Sequence, residues 1–103
     1  MSALFAWPDG VLDRRRVTRC ALARICGACE QPLGRPIVFL GTSREQHRNE
    51  FHSPPLHERC AGPVRELLGG DCVEVRTAGF EYVRPGREDA DPLPRFVPNS
   101  VLA

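Results

Sequence analysis

The sequence contains no lysine, and all fourteen of its basic residues are arginines. Thirteen acidic residues nearly balance them, so the net charge of +1 gives no overall electrostatic attraction for nucleic acid. The missing lysine has two interpretations. We favour the codon bias of a GC-rich genome over selection of guanidinium groups for recognising phosphate or carboxylate groups.

The chain also lacks a long apolar run. No stretch approaches the roughly 18 residues that a membrane-spanning helix requires, and residues 1–10 have neither a basic leader nor a sustained apolar segment. We therefore expect no signal peptide, no membrane partner and a cytoplasmic location, where thiols stay reduced. The five cysteines are an odd number, which a closed disulfide framework would not leave.

A chain of 103 residues is expected to form one domain with a modest core. Ten prolines and nine glycines indicate a loop-rich α+β fold that a bound metal would help to hold together. We predict a single zinc-stabilised domain over residues 1–84. It would comprise a basic segment at 11–25, a zinc core at 26–68 and a β-hairpin at 72–84. An extended tail at 85–103 would follow, either wrapped on the domain or disordered.

Four residues form two pairs of candidate metal ligands. Cys26 and Cys29 are separated by two residues, as are His57 and Cys60, and 27 residues lie between the pairs. A tight turn can place two thiolates on one ion, and the first turn of a helix can add an imidazole and a third thiolate. The pattern predicts a Cys3His site of the kind that holds structural zinc, although thiolate-rich sites also bind iron.

Each ligand has an alternative interpretation. Cys26 and Cys29 could be a redox dithiol, but the βαβ pattern expected around such a pair is missing. His52 could replace His57 as the ligand, and a surface position is the default for His47 and His52. Cys20 and Cys72 are interpreted as small buried apolar residues.

The first half of the chain is predicted to contain two helices and a strand. Apolar residues at helical spacing favour a helix over residues 11–25, with a strand at 16–20 as the alternative; they are Leu12, Val17, Ala21, Leu22 and Ile25. The apolar run at 35–41 predicts a strand. Ser43 and Gln46 have the spacing of a capping box for a short helix at 44–50. Trp7 is expected to pack on the domain.

The second half is predicted to contain a helix and the hairpin. The helix should begin at Leu56 and direct Val64, Leu67 and Leu68 to the core. A kink or a break is expected near Ala61-Gly62-Pro63, which would give two short helical pieces. Alternating residues at 73–76 and 80–82 predict the two hairpin strands, with the turn at 77–79. In the tail, Glu88, Asp89 and Asp91 are acidic, and Phe96 and Val97 are candidates to anchor it on the domain or to meet a partner.

The order of ligand loop, strand and ligand-bearing helix over residues 25–68 resembles the treble-clef zinc-finger group, in the form of a small bacterial zinc-binding protein. The resemblance implies that Cys26 and Cys29 lie in a zinc knuckle and that His57 and Cys60 lie at a helix start. Glu30 stands where the knuckle usually has glycine. Treble clefs serve many functions, so the fold alone does not identify one.

A basic cluster at Arg14, Arg15, Arg16 and Arg19 is either a solvated helix face or a phosphate-binding patch. It lacks the interleaved aromatic residues that bind single strands. We expect a non-catalytic regulatory or adaptor module whose partner is nucleic acid, through this cluster, or another protein, through the tail.

The alternative function is that of a metalloenzyme or an accessory subunit of a biosynthetic pathway. One metal ligand would then be labile, and Glu58 would act as an acid or base. Four protein ligands leave no open position for a substrate, which favours a structural ion. His47, Asn49 and His52 do not have the spacing of a His-Asn-His nuclease.

Overall fold

A computed structural model describes residues 4–87 and 93–102. In chain order the elements are α1 (Arg14–Ala23), β1 (Ile37–Gly41), α2 (Ser43–Arg48), β2 (Leu56–His57), a 3-10 turn (Glu58–Cys60), α3 (Ala61–Leu68), β3 (Val73–Thr77), β4 (Phe80–Val83) and β5 (Arg95–Pro98). Mixed short helices and antiparallel strands agree with the predicted α+β class. The predicted acidic residues Glu88, Asp89 and Asp91 lie outside the described part. Among the described residues, every helix is too short or too polar to cross a membrane.

Helix α1 forms within the segment predicted as helical. The Asp13 carboxylate accepts a hydrogen bond from the backbone N–H of Arg16 at 3.1 Å and caps the first turn. The helix ends at Arg24, which adopts a left-handed conformation with φ of 54°. Val17 and Ala21 are buried on the inner face of the helix, whereas Leu22 is 65% exposed.

Strand β1 is the centre of a three-stranded antiparallel sheet in the order β2-β1-β3. Ile37 lies opposite His57 on one side and opposite Thr77 on the other. All five residues of β1 are buried, and α3 packs against this strand. A strand covered on both faces explains why its sequence is a continuous apolar run rather than an alternating one.

The predicted hairpin at 72–84 is wrong. Strand β3 pairs with β1, whereas β4 pairs with β5 in a separate two-stranded sheet. The Thr77 side chain lies at the point of separation, where its hydroxyl donates to the Gly79 carbonyl at 2.7 Å and accepts from the Ser100 N–H at 3.2 Å. The alternation of apolar and polar residues predicted the two strands correctly, but it does not specify which strands they pair with.

Four phenylalanines form the core where the two sheets meet. The Phe39 ring lies 5.6–5.8 Å, centroid to centroid, from the rings of Phe51, Phe80 and Phe96. The backbones of Phe51 and Phe96 also exchange two hydrogen bonds, at 2.8 and 2.7 Å. Phe96 is fully buried, so of its two interpretations the structure agrees with the anchor, and β5 is packed on the domain.

The capping residue of helix α2 lies one position earlier than predicted. Thr42 is the capping residue, and its hydroxyl accepts from the Glu45 N–H at 3.1 Å. The Glu45 carboxylate accepts in turn from the Thr42 N–H at 3.0 Å. The prediction of Ser43 with Gln46 is therefore wrong by one position, because Thr42 and Glu45 have the same spacing and the same chemistry.

Helix α3, in contrast, begins later than predicted. His57 lies in β2 and Cys60 in the 3-10 turn, and the α-helix starts at Ala61. Pro63 occupies the first turn, where a missing N–H removes no helical hydrogen bond. Two short helical pieces are present, as predicted, but they meet at Cys60 and Ala61 rather than at Pro63. Val64 is fully buried, but Leu67 and Leu68 are about 40% exposed, which corrects their assignment to the core.

The phenylalanine core generates a stability prediction. Phe96→Ala removes a fully buried ring that contacts three aromatic neighbours and should lower the free energy of unfolding by about 3–5 kcal/mol. Leu22→Ala, at an exposed helical position, should change it by no more than about 0.5 kcal/mol. Urea denaturation measures both. A Phe96→Ala variant as stable as Leu22→Ala would contradict the packed position of β5.

Candidate metal centre

The four predicted ligands lie together. One ligand atom from each of Cys26, Cys29, His57 and Cys60 lies within 4.8 Å of all the others. The Nδ1 atom of His57 is 3.2 Å from the Cys29 sulfur and 3.9 Å from the Cys60 sulfur. Ligands of a tetrahedral zinc ion, at about 2.3 Å for sulfur and 2.0 Å for nitrogen, are about 3.5–3.8 Å apart. The cluster is therefore compatible with a Cys3His metal site.

The first two cysteines lie in a tight loop that backbone hydrogen bonds close. The Cys26 N–H donates to the Gln31 carbonyl at 2.9 Å, and the Glu30 N–H donates to the Cys26 carbonyl at 3.0 Å. Gly27 lies so close to the segment before β2 that an added Cβ would be 2.3 Å from the Pro54 Cγ. Glycine at this position lets the loop approach the strand that carries His57.

The N-terminal arm, residues 4–10, covers the outside of this loop. The N–H groups of Phe5 and Ala6 donate to the carbonyls of Ala28 and Gly27 at 3.1 and 2.8 Å. Trp7 is only 4% exposed, which confirms that it packs on the domain. The loop is thus held by the arm on one side and on the other by the Pro55 carbonyl, which accepts from the Gly27 N–H at 2.8 Å.

The His57 ring is oriented by a backbone carbonyl on its far side. Its Nε2 atom lies 2.8 Å from the Pro32 carbonyl oxygen. A carbonyl only accepts, so Nε2 carries the proton and Nδ1 presents its lone pair to the three sulfur atoms. This is the usual arrangement around a metal-bound histidine, because the second hydrogen bond fixes the tautomer and the ring plane. No sequence pattern marks the Pro32 carbonyl as a partner of His57, since every residue has a backbone carbonyl.

The three thiols differ in their electrostatic surroundings. Burial and the neighbouring Cys26 and Cys29 raise the pKa of Cys60 to about 12. Burial alone would also raise the pKa of Cys29, but hydrogen bonds from the Gln31 backbone, Cys26 and Cys60 hold it below its usual value. The Cys26 sulfur accepts from the N–H groups of Ala28 and His57 at 3.3 and 3.4 Å. Ionisation of all three thiols together near neutral pH would therefore need a cation among them.

The rival ligands lie elsewhere. The Nδ1 atom of His52 is 2.8 Å from a Glu45 carboxylate oxygen, and His47 is exposed on α2. Cys20 is fully buried, and burial raises its pKa to about 12. Cys72 is half-buried, with its sulfur 4.0 Å from an Arg65 nitrogen. In the described part of the chain, the metal cluster contains none of these four residues.

Two arginines of the predicted basic cluster make contacts within the chain. The guanidinium groups of Arg16 and Arg19 lie over the Phe5 ring, 5.2 and 5.8 Å from its centroid. Arg16 also donates to the Phe5 carbonyl at 2.9 Å, and Arg19 lies 3.5 Å from the Glu30 carboxylate. Arg14 and Arg15 are exposed. Two of the four arginines therefore hold the N-terminal arm, and two point to solvent.

Comparison of the chain with protein-family models, curated proteins and solved structures finds no match. The resemblance to treble-clef zinc fingers thus rests on the ligand order alone. One departure from that group has a structural explanation. Glu30 adopts a left-handed conformation with φ of 66°, which is the conformation that a glycine in its place would adopt readily.

Glu30 generates a prediction about the loop. Glu30→Gly and Glu30→Ala both remove the contact with Arg19, so their difference isolates the backbone. We expect Glu30→Gly to be more stable than Glu30→Ala by about 0.5–1 kcal/mol, because only glycine enters the left-handed region without strain. Thermal and urea denaturation measure the difference. Equal stabilities would show that this residue is not left-handed in solution.

Proposed function

We propose that the chain is a non-catalytic zinc-binding module in which zinc, bound by Cys26, Cys29, His57 and Cys60, is structural. The orientation of the His57 ring is the observation that carries the proposal. Nδ1 points at three sulfur atoms while Nε2 donates to the Pro32 carbonyl. Zinc is preferred over harder cations because the ligand set is rich in thiolates.

The ligand count supports a structural ion over a catalytic one. Three cysteines and one histidine supply all four positions of a tetrahedral site, so no position remains for a substrate or an activated water. Glu58, the candidate acid or base of the metalloenzyme alternative, accepts a hydrogen bond from Arg76 at 3.1 Å. That ion pair gives Glu58 a role that needs no proton transfer.

The ion would add a further link between three parts of the chain. The knuckle loop carries Cys26 and Cys29, β2 carries His57, and the 3-10 turn before α3 carries Cys60. Cys26 belongs to the same buried cluster as the four phenylalanines, and Cys29 and Cys60 pack against that cluster, so the ion would extend the core at the ligand loop. Zinc binding would therefore supply folding free energy to the half of the domain that contains the knuckle.

We propose nucleic acid as the partner of helix α1, with protein binding through the C-terminal segment as the alternative. Arg14 and Arg15 are exposed on the first turn of α1, where guanidinium groups could contact phosphates. Arg16 and Arg19 would position these two by fixing the N-terminal arm against the helix. The small net charge implies weak binding that depends on this local cluster.

Metal content tests the zinc site. The purified protein should contain one zinc ion per chain by elemental analysis. Cys60→Ser and His57→Gln should lose most of it together with helical circular dichroism, because each removes one ligand. Cys72→Ser and His52→Gln are matched controls outside the cluster and should keep both. Zinc retained in Cys60→Ser would contradict the proposed ligand set.

Salt dependence tests the nucleic-acid partner. Affinity for a short duplex should fall steeply with added salt, because arginines that contact phosphates release counterions. Arg14→Gln with Arg15→Gln should lower both the affinity and the salt slope. Arg44→Gln with Arg48→Gln, at exposed positions of α2, is the charge-matched control. An affinity that does not change with salt concentration would contradict the nucleic-acid proposal and favour a protein partner.

A further inference from the structure

A cleft lies beside the metal centre, on the far side of His57. Its volume is about 610 Å³, and it is lined by residues 32–36 on one wall and 57–59 on the other. This volume is within the range of about 300–1,000 Å³ that is typical of small-molecule sites. None of the functions considered for the chain so far uses the cleft.

The charges around the cleft are mainly positive. Arg35 and Arg59 both line it and are exposed, and neither forms an ion pair with a carboxylate in the described part of the chain. The one carboxylate on the lining is Glu58, and Arg76 lies 3.1 Å from it. The lining therefore carries two guanidinium groups and one carboxylate that Arg76 already pairs with, which leaves an excess of positive charge that attracts an anion.

We propose that this cleft binds the phosphate group of a nucleotide-sized ligand between Arg35 and Arg59. Guanidinium groups suit phosphate because their planar fork donates to two oxygens at once. Leu33 and Pro36 are half-buried and line the same wall, so they offer an apolar surface to the rest of the ligand. The described lining contains no aromatic residue other than His57, which predicts binding without preference among bases.

The metal site and the cleft share a wall, so the proposal rests in part on the proposed zinc site. The Pro32 carbonyl accepts from His57 at 2.8 Å, and the Leu33 N–H donates to the Arg24 carbonyl at 3.0 Å. These two hydrogen bonds fix the loop that leads to Arg35. Arg59 lies between His57 and Cys60 in sequence, so an ion bound by both would also fix the opposite wall.

The test is a titration of the full chain, purified with its metal and labelled with ¹⁵N, followed through the arginine Nε–H signals. The probes are inorganic phosphate, adenosine monophosphate, guanosine monophosphate, and an oligonucleotide with or without a 5′-phosphate.

We expect Arg35→Gln with Arg59→Gln to weaken phosphate binding about tenfold or more. Arg44→Gln with Arg48→Gln, the control on α2, should leave the affinity unchanged. Glu58→Gln should strengthen binding, because it removes the one competing negative charge.

The probes also distinguish two sources of the phosphate group. Binding of the mononucleotides with equal affinity supports a free nucleotide, and binding of the 5′-phosphorylated strand alone supports a strand end. Failure of every probe to shift the arginine signals would overturn the proposal, as would an unchanged affinity in Arg35→Gln with Arg59→Gln. Zinc content is measured on the same samples. Loss of phosphate binding with zinc retained is expected for the double variant, so failure of the cleft is distinguishable from failure of the zinc site.

Discussion

The position of the His57 ring is the constraint on which the rest of the site depends. One ring nitrogen donates to the Pro32 carbonyl, and the other faces three cysteine sulfurs. The ring therefore ties the loop that follows the knuckle to β2, and through Cys60 to the start of α3. A change at this residue would affect the metal cluster and the neighbouring cleft together, because both use the same side chain.

The domain divides its stabilisation between two kinds of interaction. Aromatic packing joins the two sheets around Phe39, and the backbone of Phe51 pairs with that of Phe96. The loop that carries Cys26 and Cys29 instead has hydrogen bonds to the N-terminal arm and to Pro55, and it lies at the ligand cluster. A chain of 103 residues buries a limited apolar core. A metal ion at the ligand cluster would thus add to the stabilisation of the core, to which Cys26 already belongs.

Sequence reasoning predicted the ligand cluster because ligand spacing is a local property. Two residues between Cys26 and Cys29 fit a tight turn whatever the rest of the chain does. It failed where the outcome depended on distant partners. Strands β3 and β4 are adjacent in sequence, yet each pairs elsewhere. The buried strand β1 offers β3 a longer apolar partner than β4 does. Likewise, helical spacing placed Leu67 and Leu68 in the core, but Val64 and Ala61 already fill the contact with the sheet.

X-ray absorption spectroscopy of the purified protein at the zinc edge tests the central claim most directly. A structural Cys3His site predicts three sulfur scatterers at about 2.3 Å and one nitrogen at about 2.0 Å, with no light-atom ligand beyond the imidazole. The same spectrum should be unchanged on adding phosphate, because the cleft ligand would not reach the ion. A spectrum with two sulfurs and two or more oxygen or nitrogen ligands would contradict the account and show an ion with an open position.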